Sequence, residues 1–234
     1  MTPERFKRIL EVLSSRTTDL TVVMDQVHKP HNLSAILRTC DAVGVLEAHA
    51  VVPARSSFRA DHFTAGGSGQ WVKVRSHPAV ASAIDHLARG GFQIIAAHPS
   101  STAVPPEQID LTRPTALLMG AELRGVSAEG LALAHQTTAI PMLGMVGSLN
   151  VSVATAVILF EALRQRSLDS SYRPARIPQA EQDRLAVEWS YPKLTAICRA
   201  KGLSYPLVDD EGYLVDSEPT KGKDEPLSSR RRAV

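Results

Sequence analysis

The sequence predicts an α/β fold built on a parallel sheet, and three observations carry that prediction. Short apolar runs of strand length recur along the chain: LTVVM (20–24), EAHAVV (47–52), WVKV (71–74), FQIIAA (92–97), TALLM (115–119) and TAIPM (138–142). Stretches with the spacing of amphipathic helices alternate with them, the order that builds parallel sheets. FQIIAA and TALLM carry no polar alternation, as strands covered on both faces should not.

The elements follow in order. Thr2 is placed to cap a first helix, Pro3 suits its first position, and Phe6, Ile9, Leu10 and Leu13 share one apolar face. A polar connector ends at Asp19. After the first strand a helix is expected over 33–43, with Asn32 as its N-cap and Leu33, Ile36, Leu37 and Cys40 inward. A glycine-rich loop, TAGGSGQ (64–70), precedes the third run, and a helix over 78–88 stops at Gly90 and Gly91. A short helix is expected over 127–134. The segment from Val151 then has Val153, Ala154, Ala156, Val157, Ile158 and Phe160 with no polar stripe for nearly three turns, which predicts a helix buried on most sides. Small polar residues, Gly-Ser-Leu-Asn (147–150), form its mouth.

These elements divide the chain into an N-terminal helix (1–18), a sheet-bearing domain (19–166), a helical extension (167–212) and a tail (213–234). The extension opens on a linker-like stretch, and two helices follow over 179–189 and 192–201, the second stopped by Gly202. The tail has too little apolar surface to pack and reads as disordered, ending in SSRRRAV.

Composition narrows the function classes. At 234 residues, 44% hydrophobic and 21% charged, the chain reads as one sizeable globular domain with appendages. No apolar run approaches the ~18–20 residues needed to cross a membrane. The charged N-terminus is no signal peptide. Cys40 and Cys198 give neither a disulfide framework nor a zinc spacing, so a reducing cytoplasm is expected. His28 and His31 flank Lys-Pro with no carboxylate or thiol in the motif, so no metal is expected. The net charge is only +2, but basic residues gather in ERFKRILEVLSSR, RQRSLDSSYRPAR and the final SSRRRAV. Such clusters fit a polyanionic partner, and they fit solvated helix faces equally well.

Three polar clusters sit at strand ends or helix mouths, where open α/β sheets bind ligands. In HNLSAILRTCDAVG (31–44), Ser34, Arg38 and Asp41 share a face. Taken alone, that cluster is as well read as a capped amphipathic helix with an Arg38–Asp41 pair. In LLMGAELRGV (117–126), an apolar strand ends at Gly120, after which Glu122 and Gly125 bracket Leu-Arg. This is neither a phosphate loop nor a dinucleotide fingerprint, although the glycines permit close backbone approach to a ligand. The third cluster is Ser148 and Asn150, either of which suits an N-cap.

Together and in this order, the clusters resemble the three signature motifs of the SPOUT superfamily of RNA methyltransferases, in its SpoU/TrmH branch. HNLSAILRTCDAVG is similar to the first, LLMGAELRGV to the second and IPMLGMVGSLNVSVATAVILFEALRQ to the third. The resemblance runs from residue 1 to about residue 208. It includes DQVHKPHN and YPKLTAICRAKGLSYPLVD, which resemble the members that methylate the 2′-oxygen of guanosine 18 in the tRNA D-loop.

The resemblance implies a deep trefoil knot at the C-terminal end of the sheet, an exception to the rule against threaded chains. It also implies S-adenosylmethionine as cofactor, tRNA as substrate and a homodimer formed through the apolar helix, with neither metal nor membrane. Ala97, Met119, Gly120, Ile140, Met142 and Leu149 fall where the family holds the cofactor. Arg38, with Asn32 beside it, matches the residue that activates the ribose hydroxyl, while Glu122, Ser148 and Asn150 shape the site. A guanidinium seldom gives up its proton. Two versions therefore stay open: Arg38 acts as an unusual base, or it stays charged while another group, with His31 a candidate, takes the proton. Arg5, Arg8, Arg16, Arg164, Arg166, Arg173 and Arg176, with His31, are expected to grip RNA. Competing readings are a family member acting on ribosomal RNA or another tRNA position, a knotted RNA-binding protein without catalysis, and a small-molecule α/β enzyme, for which no nucleophile–base pair stands out.

Overall fold

The computed structural model describes residues 1–52, 70–122 and 124–215. The glycine-rich loop up to Gly69 and the tail beyond Val215 lie outside the described residues. The chain divides into two compact units, Thr17–Ala175 and a unit made of Met1–Arg16 with Arg176–Val234.

In the Thr17–Ala175 unit the apolar runs become β1 (Leu20–Asp25), β2 (Glu47–Val51), β3 (Lys73–His77), β4 (Gln93–Ala97), β5 (Thr115–Gly120) and β6 (Gln136–Thr138). They form one sheet in the order β3-β2-β1-β5-β4-β6, and every pairing is parallel. The chain builds outward from β1 through β2 to β3, then crosses to the other side of β1. That reversal makes the β1–β5 boundary a topological switch point, where Asp25 pairs in register with Gly120.

Two apolar cores cover the two faces. On one, α2 (Pro30–Ala42) and α5 (Val151–Leu168) pack through Leu33, Ile36, Leu37, Cys40, Ile158 and Leu159 against Val22, Met24 and Leu117. On the other, α3 (Val80–Arg89) packs through Ala83, Ile84 and Leu87 against Val23, Ile94 and Leu118. The short α4 (Ala128–Leu133) lies on that second side, its Leu131 packed against the same core. Its Gly130 is hemmed in by Val126 and Leu118 side chains, with 3.0–3.1 Å to where a Cβ would stand.

The structure corrects several expectations. Asn32 is not the N-cap of α2. Pro30 begins the helix with Lys29 at the cap, because proline has the helical φ built in and no N–H to leave unpaired. Asn32 therefore stands in the first turn, fully buried, with its amide free for partners elsewhere. The last strand is Gln136–Thr138 rather than 138–142, stopping before Pro141, which can donate no ladder bond. The third strand runs over Lys73–His77 rather than 71–74.

The expectation for α5 is corrected as well. Val151, Thr155, Ile158, Leu159 and Ala162 are buried, but Val153, Val157, Phe160 and Leu163 are 41–50% exposed along one stripe. Within one chain the helix has an open apolar face.

Arg166, in the last turn of α5, is buried instead of offered to RNA, because every arm of its guanidinium is used inside the unit. It donates to Asp19 Oδ1 (2.6 Å), Tyr172 Oη (2.7 Å), Leu111 O (2.9 Å), Arg113 O (3.1 Å) and Asp19 O (3.1 Å). This clamp fastens the C-terminal end of α5 beneath the starts of β1 and β5.

In the other unit, Thr2 caps α1 (Pro3–Ser15), and Phe6, Ile9 and Leu13 are buried. With it are α6 (Gln179–Ser190) and α7 (Pro192–Lys201); Gly202, at φ +62, ends α7 in the left-handed conformation. Arg16 is fully buried, its guanidinium carbon 5.5 Å from the Trp189 ring centroid, so it too is corrected as a phosphate contact.

Candidate active site

A cleft of about 450 Å³ opens at the C-terminal ends of β4 and β5 and along the segment from β6 to α5. Its size suits a small-molecule ligand. Sharp chain reversal after β5 shapes one wall. A Cβ on Gly120 would lie 1.9 Å from the Gly125 carbonyl carbon and 2.0 Å from Val126 N, so only glycine permits that approach. Gly125, at φ +66, donates to Ala121 O at 2.7 Å and closes the turn. Buried Asp25 accepts a hydrogen bond from Ser127 N at 2.8 Å and fixes the exit of that turn into α4. The result is that Glu122 is brought to the border of the cleft.

One hydrogen-bonded chain joins all three clusters of the sequence. Asn32 Nδ2 donates to Glu122 Oε1. Asn150 Nδ2 donates to Asn32 Oδ1 at 3.2 Å. Asn150 Oδ1 in turn caps α5, accepting from Ser152 N at 2.8 Å and from Ser152 Oγ at 2.6 Å. Lys29 Nζ adds a positive charge 3.6 Å from the same Glu122 Oε1.

Other expected site residues divide into those on the cleft and those off it. Ala97, Met119, Gly120, Ile140, Met142, Leu149 and Ser148 all line it. Arg38 does not. Six residues along α2 from Asn32 is 600° of helical rotation, which turns Arg38 away from the buried face to solvent. Its side chain forms no hydrogen bond or ion pair with a described residue, so the Arg38–Asp41 pair of the alternative reading is absent among them. His31 is likewise exposed and off the cleft.

Two residues that sequence reasoning missed, Lys29 and His98, line it instead. Proline at the first position of α2 was the available signal for Lys29, since it puts the preceding side chain at the helix mouth. His98 directly follows the end of β4, and its Nδ1 stands 3.4 Å from where a Cβ on Gly125 would be.

The segment between β6 and α5 is open in its backbone. Among the described residues, 140–149 take part in no backbone–backbone hydrogen bond outside regular elements. Of these, Ile140, Met142, Gly147, Ser148 and Leu149 line the cleft, and their main-chain groups suit a ligand recognised through backbone polar atoms.

Of the arginines expected on RNA, Arg5, Arg8, Arg164, Arg173 and Arg176 are exposed. Arg164 forms a two-pronged pair with Glu161, both contacts at 2.7 Å. Arg176 Nη1 donates to Ser15 O at 2.6 Å.

A second titratable cluster lies near the opposite edge of the sheet. Buried His49 on β2 is hydrogen-bonded through Nδ1 to His77 Nε2 at 2.9 Å, and His86 of α3 stacks within 5.8 Å of both rings. Burial is the main force lowering the His49 pKa to about 4, and it lowers that of His77 as well. Among the described residues no group of histidine, cysteine, aspartate or glutamate side chains is arranged to hold a metal ion. No described helix is long and apolar enough to cross a membrane.

Comparison with known proteins places the cleft in a family. The model of the SpoU rRNA Methylase family matches residues 19–160, and that of the SpoU rRNA methylase C-terminal region matches 164–217. The chain belongs to the SpoU methylase family. Among the relatives of this SpoU methylase, a tRNA (guanosine(18)-2'-O)-methyltransferase of Escherichia coli is 52% identical over 92% of this chain and 94% of its own. One of Thermus thermophilus is 54% identical over 80% of this chain and 96% of its own. The crystal structure of the Aquifex aeolicus TrmH/SpoU tRNA modifying enzyme matches with a TM-score of 0.72 at 38% identity, covering 82% of this chain and 97% of that one. The SpoU methyltransferase AviRb of Streptomyces viridochromogenes, solved in complex with AdoMet, matches with a TM-score of 0.58 at 28% identity, covering 68% of this chain and 65% of that one. This SpoU methylase thus shares its α/β fold with a methyltransferase solved in complex with AdoMet.

Proposed function

We propose that this protein transfers a methyl group from S-adenosylmethionine to the ribose 2′-hydroxyl of guanosine 18 in tRNA. The observation that carries the reading is the bonding of Asn32 to both Glu122 and Asn150 at one cleft. It unites three motifs far apart in the sequence. The names of the relatives, which match nearly their full length, select tRNA guanosine 18 as the substrate.

The cleft fits the cofactor. The main-chain groups of Ile140, Met142, Gly147, Ser148 and Leu149, which make no backbone–backbone bond outside regular elements, suit an adenosine. Ala97, Met119 and Gly120 border the rest, and the Glu122 carboxylate suits the neighbourhood of a sulfonium. When bound, the cofactor supplies an electrophilic methyl group. The protein's own work is to hold the hydroxyl in line with that methyl, a positioning effect worth up to ~7–11 kcal/mol in favourable cases. Ser148 and Asn150 at the mouth of α5 fix one side of the cleft, and Asn32 and Glu122 fix the other. Arg38, facing solvent, stays charged and meets the phosphate beside the target nucleotide.

The same reading assigns the outer parts. The exposed stripe of Val153, Val157, Phe160 and Leu163 on α5 meets its counterpart in a homodimer, and the loops about the cleft form the deep knot of the family. The helix within 1–18 and the extension over 167–212 flank the methyltransferase domain of 19–166. Exposed Arg5, Arg8, Arg164, Arg173 and Arg176 hold tRNA phosphates. The enzyme works in the cytoplasm, with its substrate.

The test is to incubate the purified protein with labelled S-adenosylmethionine and an unmodified tRNA transcript, then map the label. A 2′-O-methyl group at guanosine 18 supports the assignment. Methyl on ribosomal RNA or at another tRNA nucleotide keeps the chemistry and sinks the substrate, and no transfer to any RNA sinks both.

A further inference from the structure

We propose that His98 holds the carboxylate of S-adenosylmethionine and makes the cleft select a cofactor with an intact amino-acid end. The inference rests on the methyltransferase reading and deepens it.

The fold places the His98 ring and leaves its polar atoms unused. His98 directly follows β4, and its backbone N–H donates to Thr138 O at 3.0 Å, which pins it to the end of β6. Its ring stands against the turn after β5. Nδ1 and Cε1 lie 3.4 and 3.7 Å from where a Cβ on Gly125 would be. The residue is half-buried and lines the cleft, yet its ring has no hydrogen-bond or ion-pair partner among the described residues. An imidazole carries a ring N–H in either tautomer, so a ligand that accepts from it finds the donor already placed and partly stripped of water.

Charge on the cleft wall then selects which part of the ligand that is. Among its described lining residues the ionisable side chains are Lys29, His98 and Glu122. Lys29 is committed to Glu122, with Nζ 3.6 Å from Oε1. The cofactor carries two cationic groups, a sulfonium and an ammonium, and one anionic group, its carboxylate. The Glu122 carboxylate attracts both cations and repels the anion. The main-chain groups of Ile140, Met142, Gly147, Ser148 and Leu149 are matched by the adenosine. His98 is left as the ionisable donor open to the carboxylate. Imidazole suits that task, because an adjacent anion favours its protonated form and makes the contact a charge-assisted hydrogen bond. Glu122 and His98 thus divide the charges of the amino-acid end between them.

The experiment is equilibrium binding by calorimetry, with S-adenosylmethionine and decarboxylated S-adenosylmethionine as probes. The two ligands share the adenosine, the sulfonium and the amine, and differ in the carboxylate alone. Each is titrated into wild type, His98→Ala and His98→Gln. Wild type is expected to prefer the intact cofactor by about tenfold or more, the worth of a hydrogen bond to a charged group. His98→Ala should weaken S-adenosylmethionine by that factor and leave the decarboxylated ligand nearly unchanged, so the preference disappears. His98→Gln keeps an N–H donor without the charge and should fall between the two. Retained binding of the decarboxylated ligand shows in the same titration that each variant is folded.

Equal losses for both ligands in His98→Ala overturn the assignment, because the ring then serves the adenosine or the packing of the turn. A variant that keeps the wild-type preference overturns it too, and gives the carboxylate to main-chain donors. Wild-type protein that binds both ligands alike has no carboxylate site, so this inference fails while the cofactor reading stands. Wild-type protein that binds neither ligand overturns the S-adenosylmethionine reading itself, and this role with it.

Discussion

Asn150 Nδ2 donates to Asn32 Oδ1 at 3.2 Å, joining the mouth of α5 to the first turn of α2. Asn32 gives its amide nitrogen to Glu122 and its oxygen to Asn150, whose own oxygen accepts from Ser152, so the bonds run in one direction along the chain. The bond thus transmits the position of the Glu122 loop to the start of α5, where Ser148 lines the cleft.

Replacing Asn32 tests that polarity. Asn32→Asp removes the donor, keeps an acceptor for Asn150 and sets a second carboxylate against Glu122, while Asn32→Ala removes donor and acceptor together. Both should lower methyl transfer, and the aspartate variant should be the worse of the two in rate and in melting temperature. The alanine variant should lose about 1–3 kcal/mol of stability, the cost of leaving buried polar partners unpaired. Equal damage in the two variants would mean that the direction of the bonds is immaterial. The comparison needs only single-turnover rates and thermal melts.

Arg164 and Arg166 stand two residues apart on α5 and should fail in different ways. Arg166 is 6% exposed and bonded to Asp19, so Arg166→Ala strands a buried carboxylate, with an expected cost of about 3–5 kcal/mol. tRNA affinity, measured on the folded fraction, should stay near that of wild type. Arg164→Ala should leave the melting temperature nearly unchanged, weaken tRNA binding and reduce the slope of log affinity against log salt by about one. A reversed pattern would return Arg166 to the RNA surface.

That pair marks where sequence reading stopped. The strands and inward faces were legible because their signal is local: Leu33, Ile36, Leu37 and Cys40 recur with the helical period, and FQIIAA needs cover on both sides. Partners far along the chain leave no such mark. Nothing near Arg166 indicates that Asp19, 147 residues away, takes its charge, so the residue read as one more basic surface group. Asn32 looked like a cap by residue type, yet Pro30 had already fixed the start of the helix. The apolarity of α5 was plain, but composition does not say whether the cover comes from the same chain or from another. At the site, the order of motifs pointed to the cleft, while Lys29 was missed because its role depends on a carboxylate in another motif.

Cover from another chain can be tested directly. Val153, Val157, Phe160 and Leu163 recur at helical spacing and are each more than two-fifths exposed, an apolar stripe unusual for a free monomer surface. Phe160→Asp should convert a dimer into a monomer in light scattering at micromolar concentration, with methyl transfer lost and the far-ultraviolet circular dichroism retained. A wild-type protein that is monomeric at the same concentration would leave the stripe without its proposed partner.

The histidines at the far edge of the sheet make stability depend on pH, and the sign follows from their burial. His49 has a folded-state pKa of about 4 against an ordinary 6.5, because burial disfavours its charged form; His77 and His86, and Arg75 of β3, push the same way. Glu47 opposes them from 3.9 Å, although Lys73 and Arg75 share its charge. Between pH 6.5 and 4 the unfolded chain therefore takes up a proton that folded His49 refuses. Its contribution is fully present above pH 6.5 and is lost as the pH falls toward 4, about 3 kcal/mol in all. Urea midpoints at pH 7.5, 6.5, 5.5 and 4.5 should fall more steeply for wild type than for His49→Gln, which keeps a polar partner for His77 but cannot titrate. Parallel curves for the two proteins would show that His49 accepts its proton in the folded state as readily as in the unfolded one.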